Sequence, residues 1–159
     1  DNKIYIFNLL NFQNIDTIDT AENCKGLIAV SIEPKTTVLA YPDNKQGNVR
    51  VKFFEKEFSQ IICAHESTIA ALALNYDGTL LATASDKGTL IRVFNSQTGD
   101  MLQEVRRGTE KAIIYCITFN QASQLLATSS DRGTVHIFSL AGALKKLKEK
   151  SLGSSSSRE

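Results

Sequence analysis

Arg106-Arg107-Gly108 concentrates more potential chemistry into three residues than any other string in this sequence. Adjacent residues of a strand point to opposite faces, so two neighbouring guanidinium groups can serve two different pockets, while the glycine beside them lets backbone or ligand approach closely. Arg is also the side chain suited to bidentate capture of phosphate. A set of small donors stands on each side of the pair. The first comprises Thr83, Ser85, Gly88, Thr89 and the cation Arg92; the second comprises Thr128, Ser130, Gly133, Thr134 and His136. Hydroxyls, a glycine turn with free backbone N–H groups and a cationic side chain are what a phosphorylated, sugar-like head group requires. Two donor sets predict two similar sites.

The sets match because the sequence repeats. Asn75 to Phe94 (NYDGTLLATASDKGTLIRVF) aligns with Asn120 to Phe138 (NQASQLLATSSDRGTVHIF) at an offset of about 45 residues. A fainter third copy precedes them, with Ile28 to Ile32, Val38 to Tyr41, Gly47 and then NVRVKFF. Within one copy, IAALAL, LLATAS, TLIRVF and MLQEVR are β-favouring runs separated by DG, DKG and QTGD turns. That is four strands per unit, the pattern of an antiparallel propeller blade. The fold class is therefore all-β.

The ranges follow from the repeats: 1–23 the last two strands of a blade, 24–64 a complete blade, 65–108 a complete blade with the first site, 109–140 a partial blade with the second, and 141–159 a basic, Ser-rich loop or tail. A closed propeller needs typically four to eight blades. The 159 residues hold fewer, so the chain reads as an arc whose ends expose apolar surface to the remainder of the propeller or to another chain.

Composition narrows the function classes. The chain is 42% hydrophobic and 22% charged with two Pro, the balance of a globular domain. Its formal net charge of +1 gives no bulk attraction for nucleic acid, so any anion site must be local. Cys24, Cys63 and Cys116 form no CxxC pair, which supports neither a metal site nor a disulfide framework. Apolar runs are far shorter than the ~20 residues of a membrane span. No acidic pair or Ser/His/Asp arrangement is placed by motif, so the sequence reads as a binding protein without catalysis or cofactor.

VRRGTEKAIIYCITF, following GTLIRVFNSQTGD and followed by SSDRGTVHIF, resembles the PROPPIN (WIPI) family. The resemblance implies a seven-bladed propeller that binds phosphatidylinositol 3-phosphate and phosphatidylinositol 3,5-bisphosphate in autophagy and endosomal traffic. Val105 stands where the family's FRRG or LRRG signature has an aromatic residue or Leu, a packing change that leaves both Arg side chains in place. Carried over by position, the first head-group pocket comprises His65, Thr83, Ser85, Gly88, Thr89, Arg92 and Arg106, and the second Arg107, Gly108, Ser130, Thr134 and His136. In the family, the segment after the third strand of the second of these blades enters the membrane. Here Leu144, Lys145, Lys146, Leu147 and Lys148 are the candidate contacts, with a solvated linker as the alternative. The resemblance also implies autophagy-machinery partners and a cytoplasmic protein recruited peripherally to preautophagosomal, endosomal or vacuolar/lysosomal membranes.

A rival reading uses the same residues. SDxGT is also the ordinary hairpin of WD-type repeats, in which Asp86 and Asp131 cap turns and His65 occupies the place of a histidine that bonds the hairpin Asp. On that reading the chain is a protein-interaction scaffold, and the Arg pair is incidental.

Overall fold

Short β-favouring runs broken by Asn, Asp and Gly turns make tight antiparallel hairpins, and the computed structural model consists of four such sheets over residues 2–33 and 35–153. Strands β1 (Lys3–Phe7) and β2 (Asn14–Asp19) form a two-stranded sheet. The next sheet contains β3 (Ala29–Val30), β4 (Val38–Pro42), β5 (Asn48–Phe53) and β6 (Phe58–Cys63) in chain order. It is followed by β7 (Ile69–Leu74), β8 (Leu80–Ser85), β9 (Leu90–Asn95) and β10 (Met101–Arg106), again in order. The last sheet has three strands, β11 (Ile114–Phe119), β12 (Leu125–Ser130) and β13 (Val135–Ser139). This is the all-β, partial-propeller architecture that the repeats imply.

The sheets stack face to face. Strand β7 packs against β3 and β4 on one side and against β11 on the other. One apolar core, with Val38, Val49, Val51, Ile62, Leu81 and Phe94, fills the first blade interface; a second, with Leu80, Ile91, Val93, Leu102, Ile117 and Leu126, fills the next. Every residue of β8 is buried, because Leu81 faces the blade behind and Leu80 the blade ahead. Each such Leu or Ile contributes about 1.5–3 kcal/mol through burial. Among the described residues nothing gives the forward face of β13 such cover: Val135 is 67% exposed and Ile137 66%, where their β9 counterparts Ile91 and Val93 are fully buried.

Residues 141–150, expected as part of a loop or tail, are helical: α1 spans Ala141–Gly153. Residues 154–159, the Ser-rich end of that expected tail, lie outside the described residues. Leu140 and Ala143 are fully buried, and Leu144 and Leu147 pack on the same core. The helix lies against β10, where the Gln103 side chain accepts the Ala143 N–H and donates to the Ser139 carbonyl, both at 2.9 Å. Lys150 bonds Asp100 at 2.7 Å and holds its carboxyl below the usual range. Of the residues expected as membrane contacts, Leu144 and Leu147 turn their apolar stripe to the protein itself, while Lys145, Lys146 and Lys148 lie on exposed positions.

In the β3–β6 and β7–β10 blades the hairpin between the second and third strands touches the segment leading into the next blade. At Gly47 an added Cβ would lie 1.8 Å from the His65 carbonyl oxygen, and at Gly88 1.9 Å from that of Ala112. Gly133, the third copy, has open space around it. Both Gly88 (φ +64°) and Gly133 (φ +72°) are left-handed, so the two differ only in the close approach. Gly133→Ala is expected to cost about 1–2 kcal/mol from backbone conformation alone. Gly88→Ala should cost about 2–5 kcal/mol, because overpacking adds to that conformational cost. Urea unfolding of the two variants makes the comparison, and equal losses would contradict the docking role of Gly88.

Candidate functional site

The first donor set gathers on the face that β8 and β9 turn toward the preceding blade. Arg92 stands opposite Thr83 on one side and Glu104 on the other. Its Nε donates to Glu104 Oε2 at 2.7 Å and its Nη1 to the Ala64 carbonyl at 2.7 Å, so the guanidinium bridges two blades. His65 Nε2 lies 3.0 Å from the buried Thr83 hydroxyl. The WD-type alternative pairs this histidine with the hairpin Asp; here its partner is Thr83, and Asp86 is exposed. Ser85 is buried at the end of β8, and Thr89 follows Gly88 in the same hairpin. Arg106, the last residue of β10, is exposed and enters none of the ion pairs among the described residues.

Burial first, and then the nearby Arg92 charge, push the His65 imidazole from its ordinary 6.5 down to about 4. It therefore serves near neutral pH as an uncharged hydrogen-bonding group.

The second set is built on the blade junction. Arg107 Nε donates to the Gly88 carbonyl at 2.6 Å and Nη2 to the Glu110 carbonyl at 2.5 Å. The backbone N–H groups of Arg107 and Gly108 both point to the Thr89 carbonyl, at 2.9 and 3.4 Å. The Arg side chains thus differ sharply: Arg107 is half-buried and held by backbone, and Arg106 projects outward. No hydrogen bond joins Arg107 to the other residues of its set. Ser130 is buried, Thr134 exposed, and His136 stands opposite Thr128, with its Nδ1 enclosed and without a hydrogen-bond partner among the described residues.

Glu104 and Glu110 are the site residues that motif reasoning missed. Glu104 neutralises Arg92, and Glu110 lies 3.6 Å from Arg132, whose Nη2 also donates to the Lys111 carbonyl at 2.7 Å. Writing the β9–β10 register would have found Glu104, because it is the direct cross-strand neighbour of Arg92.

A family model described as PROPPIN matches residues 1–155. The chain belongs to the PROPPIN family. It is 43% identical to autophagy-related protein 18e of Arabidopsis thaliana, over 86% of this chain and 37% of the relative. It is 44% identical to autophagy-related protein 18 of Dictyostelium discoideum, over 88% of this chain and 38% of the relative. Kluyveromyces lactis Hsv2 superposes with a TM-score of 0.75 at 26% identity, covering 88% of this chain and 44% of that one. A complex of KlAtg21 with the coiled-coil of AgAtg16 gives 0.75 at 28% identity, with 87% and 47% covered. This PROPPIN chain therefore spans less than half the length of each of these relatives.

The lowered His65 value gives the PROPPIN chain a defined acid response. The unfolded chain takes up a proton at this imidazole near 6.5 and the folded chain only near 4, so acidification across that window favours unfolding. The ring Cε1–H resonance of His65 should hold its neutral position from about pH 8 down to about pH 5. A titration midpoint near 6.5 would contradict the buried, Arg92-facing placement.

Proposed function

We propose that this chain carries two head-group sites for phosphatidylinositol 3-phosphate and phosphatidylinositol 3,5-bisphosphate, one on each side of the Gly88 hairpin. They would serve a membrane-recruited scaffold of autophagy and endosomal traffic. The observation that carries this reading is the Arg106-Arg107 junction, with one guanidinium free to solvent and the other anchored on the Gly88 carbonyl between duplicated donor sets. The enclosed, unpartnered Nδ1 of His136 adds a polar atom in want of a ligand. Membership of the PROPPIN family, and relatives named autophagy-related protein 18, support the same reading.

Binding here needs orientation and charge and no chemical step. Arg92 already carries Glu104, so a phosphate at the first site competes with that carboxylate and its affinity falls with salt. The buried hydroxyls of Thr83 and Ser85 and neutral His65 then supply direction rather than charge. Two such sites on one rigid arc engage a bilayer together, and the second engagement is effectively intramolecular. Preautophagosomal, endosomal or vacuolar/lysosomal membranes are the proposed destinations. A protein partner is compatible with this, since KlAtg21 is seen in complex with a coiled-coil.

Changing both Arg106 and Arg107 to Thr should abolish flotation with phosphatidylcholine vesicles carrying phosphatidylinositol 3-phosphate, with a cooperative melt showing that the fold survives. Undiminished flotation of the folded double variant would overturn the proposal and favour the protein-only scaffold.

A further inference from the structure

The β3–β6 blade repeats the cross-strand pair at the centre of each donor frame once strand pairing, rather than sequence spacing, sets the alignment. Thr83 pairs with Arg92, Thr128 with His136, and, at the same step, Tyr41 with Arg50. Two residues further along the same strand face stand Ser85, Ser130 and Asp43. Each hairpin also carries a left-handed glycine, Gly88, Gly133 or Gly47, though not at the same step from the pair. In this copy alone a carboxylate replaces the serine.

That carboxylate sits on the cation of its own frame. Asp43 Oδ1 accepts Arg50 Nε at 2.9 Å and lies 2.8 Å from Nη2, a forked contact on one oxygen. The Asp43 side chain is only 10% exposed. The cation beside it is closed as well, since Lys52 bonds Asp16 of β2 at 2.7 Å. Both pairs line a cleft of about 650 Å³ between the first two sheets, with the buried Tyr41 at its wall. A guanidinium fork takes a carboxylate as it takes a phosphate, and a second anion brought to it meets like charge.

We propose that the β3–β6 blade holds a third copy of the phosphate-binding frame, closed to phosphomonoesters because Asp43 occupies the place of the ligand on Arg50. This rests on the two-site reading of the neighbouring blades and deepens it: Asp43 is the residue that holds the number of open frames at two. Removing its charge opens the third.

The test uses the Arg106→Thr/Arg107→Thr chain as background and adds Asp43→Ser or the isosteric Asp43→Asn. Soluble inositol 1,3-bisphosphate and inorganic phosphate are titrated separately while the Arg50 Nε–Hε resonance is followed, assigned by its loss in Arg50→Gln. Either Asp43 variant should show a saturable Arg50 shift at about tenfold lower ligand concentration than the background. Calorimetric titration of the same chains, which does not depend on the Arg50 resonance, should show the gain in affinity with Asp43→Asn and its loss when Arg50→Gln is added. Which of the two probes binds more tightly tells a sugar phosphate from free phosphate. No gain in a folded Asp43→Asn chain, or a gain that survives Arg50→Gln, would overturn the proposal. Full binding by the background chain is a failure of the Arg106/Arg107 reading instead, and the Arg50 resonance reports on the third frame in either case.

Discussion

The seating of a hairpin glycine on the backbone that leads into the next blade is the contact on which the rest of this structure depends. At Gly47 and Gly88 there is no room for a Cβ, and around each glycine the backbone is tied to the following blade: the Gly47 carbonyl accepts the N–H groups of Ala64 and His65, and the Lys87 carbonyl accepts that of Ala112. This contact sets how closely two sheets approach, and therefore which side chains interdigitate in each apolar core. It also puts the Gly88 carbonyl where Arg107 can bond it. The proposed sites are thus a by-product of blade docking: the junction that spaces the sheets also aims the cations.

Electrostatics then distinguishes three frames of one design. In the first, carboxylate and guanidinium are locked together in the Asp43–Arg50 ion pair. In the second, Arg92 is shared between Glu104 and the Ala64 carbonyl, and a neutral His65 leaves the hydroxyl of Thr83 in place. In the third, a histidine with an unpartnered, enclosed nitrogen takes the place of the arginine. Partly buried ion pairs of this kind gain from a low local dielectric and lose through desolvation, so a change of one residue can decide whether the frame is filled from within or from solution. Net charge says nothing of this, because at +1 the chain is nearly balanced.

The blades were legible in the sequence because strand period, turn chemistry and repeat length all point the same way. DKG and DRG mark the hairpins of β8–β9 and β12–β13, and the six-residue run LLATAS already has the continuous apolar and small character of a strand packed on both faces. The dock of α1 was not legible: the spacing of Leu140, Leu144 and Leu147 shows an apolar stripe but does not say that β10 lies beneath it. Glu104 and Asp43 escaped for a different reason. Their importance comes from cross-strand register, and the faint first copy hides its equivalence behind Tyr41 and Asp43 where the others carry Thr and Ser. Pairing, and not motif, reveals them.

The central claim is a count of anion sites, and calorimetric titration of the chain with soluble inositol 1,3-bisphosphate measures that count directly. The account predicts two equivalents bound per chain, one on each side of the Gly88 hairpin, with the β3–β6 frame silent. A stoichiometry of one, of three, or no binding at all would contradict it.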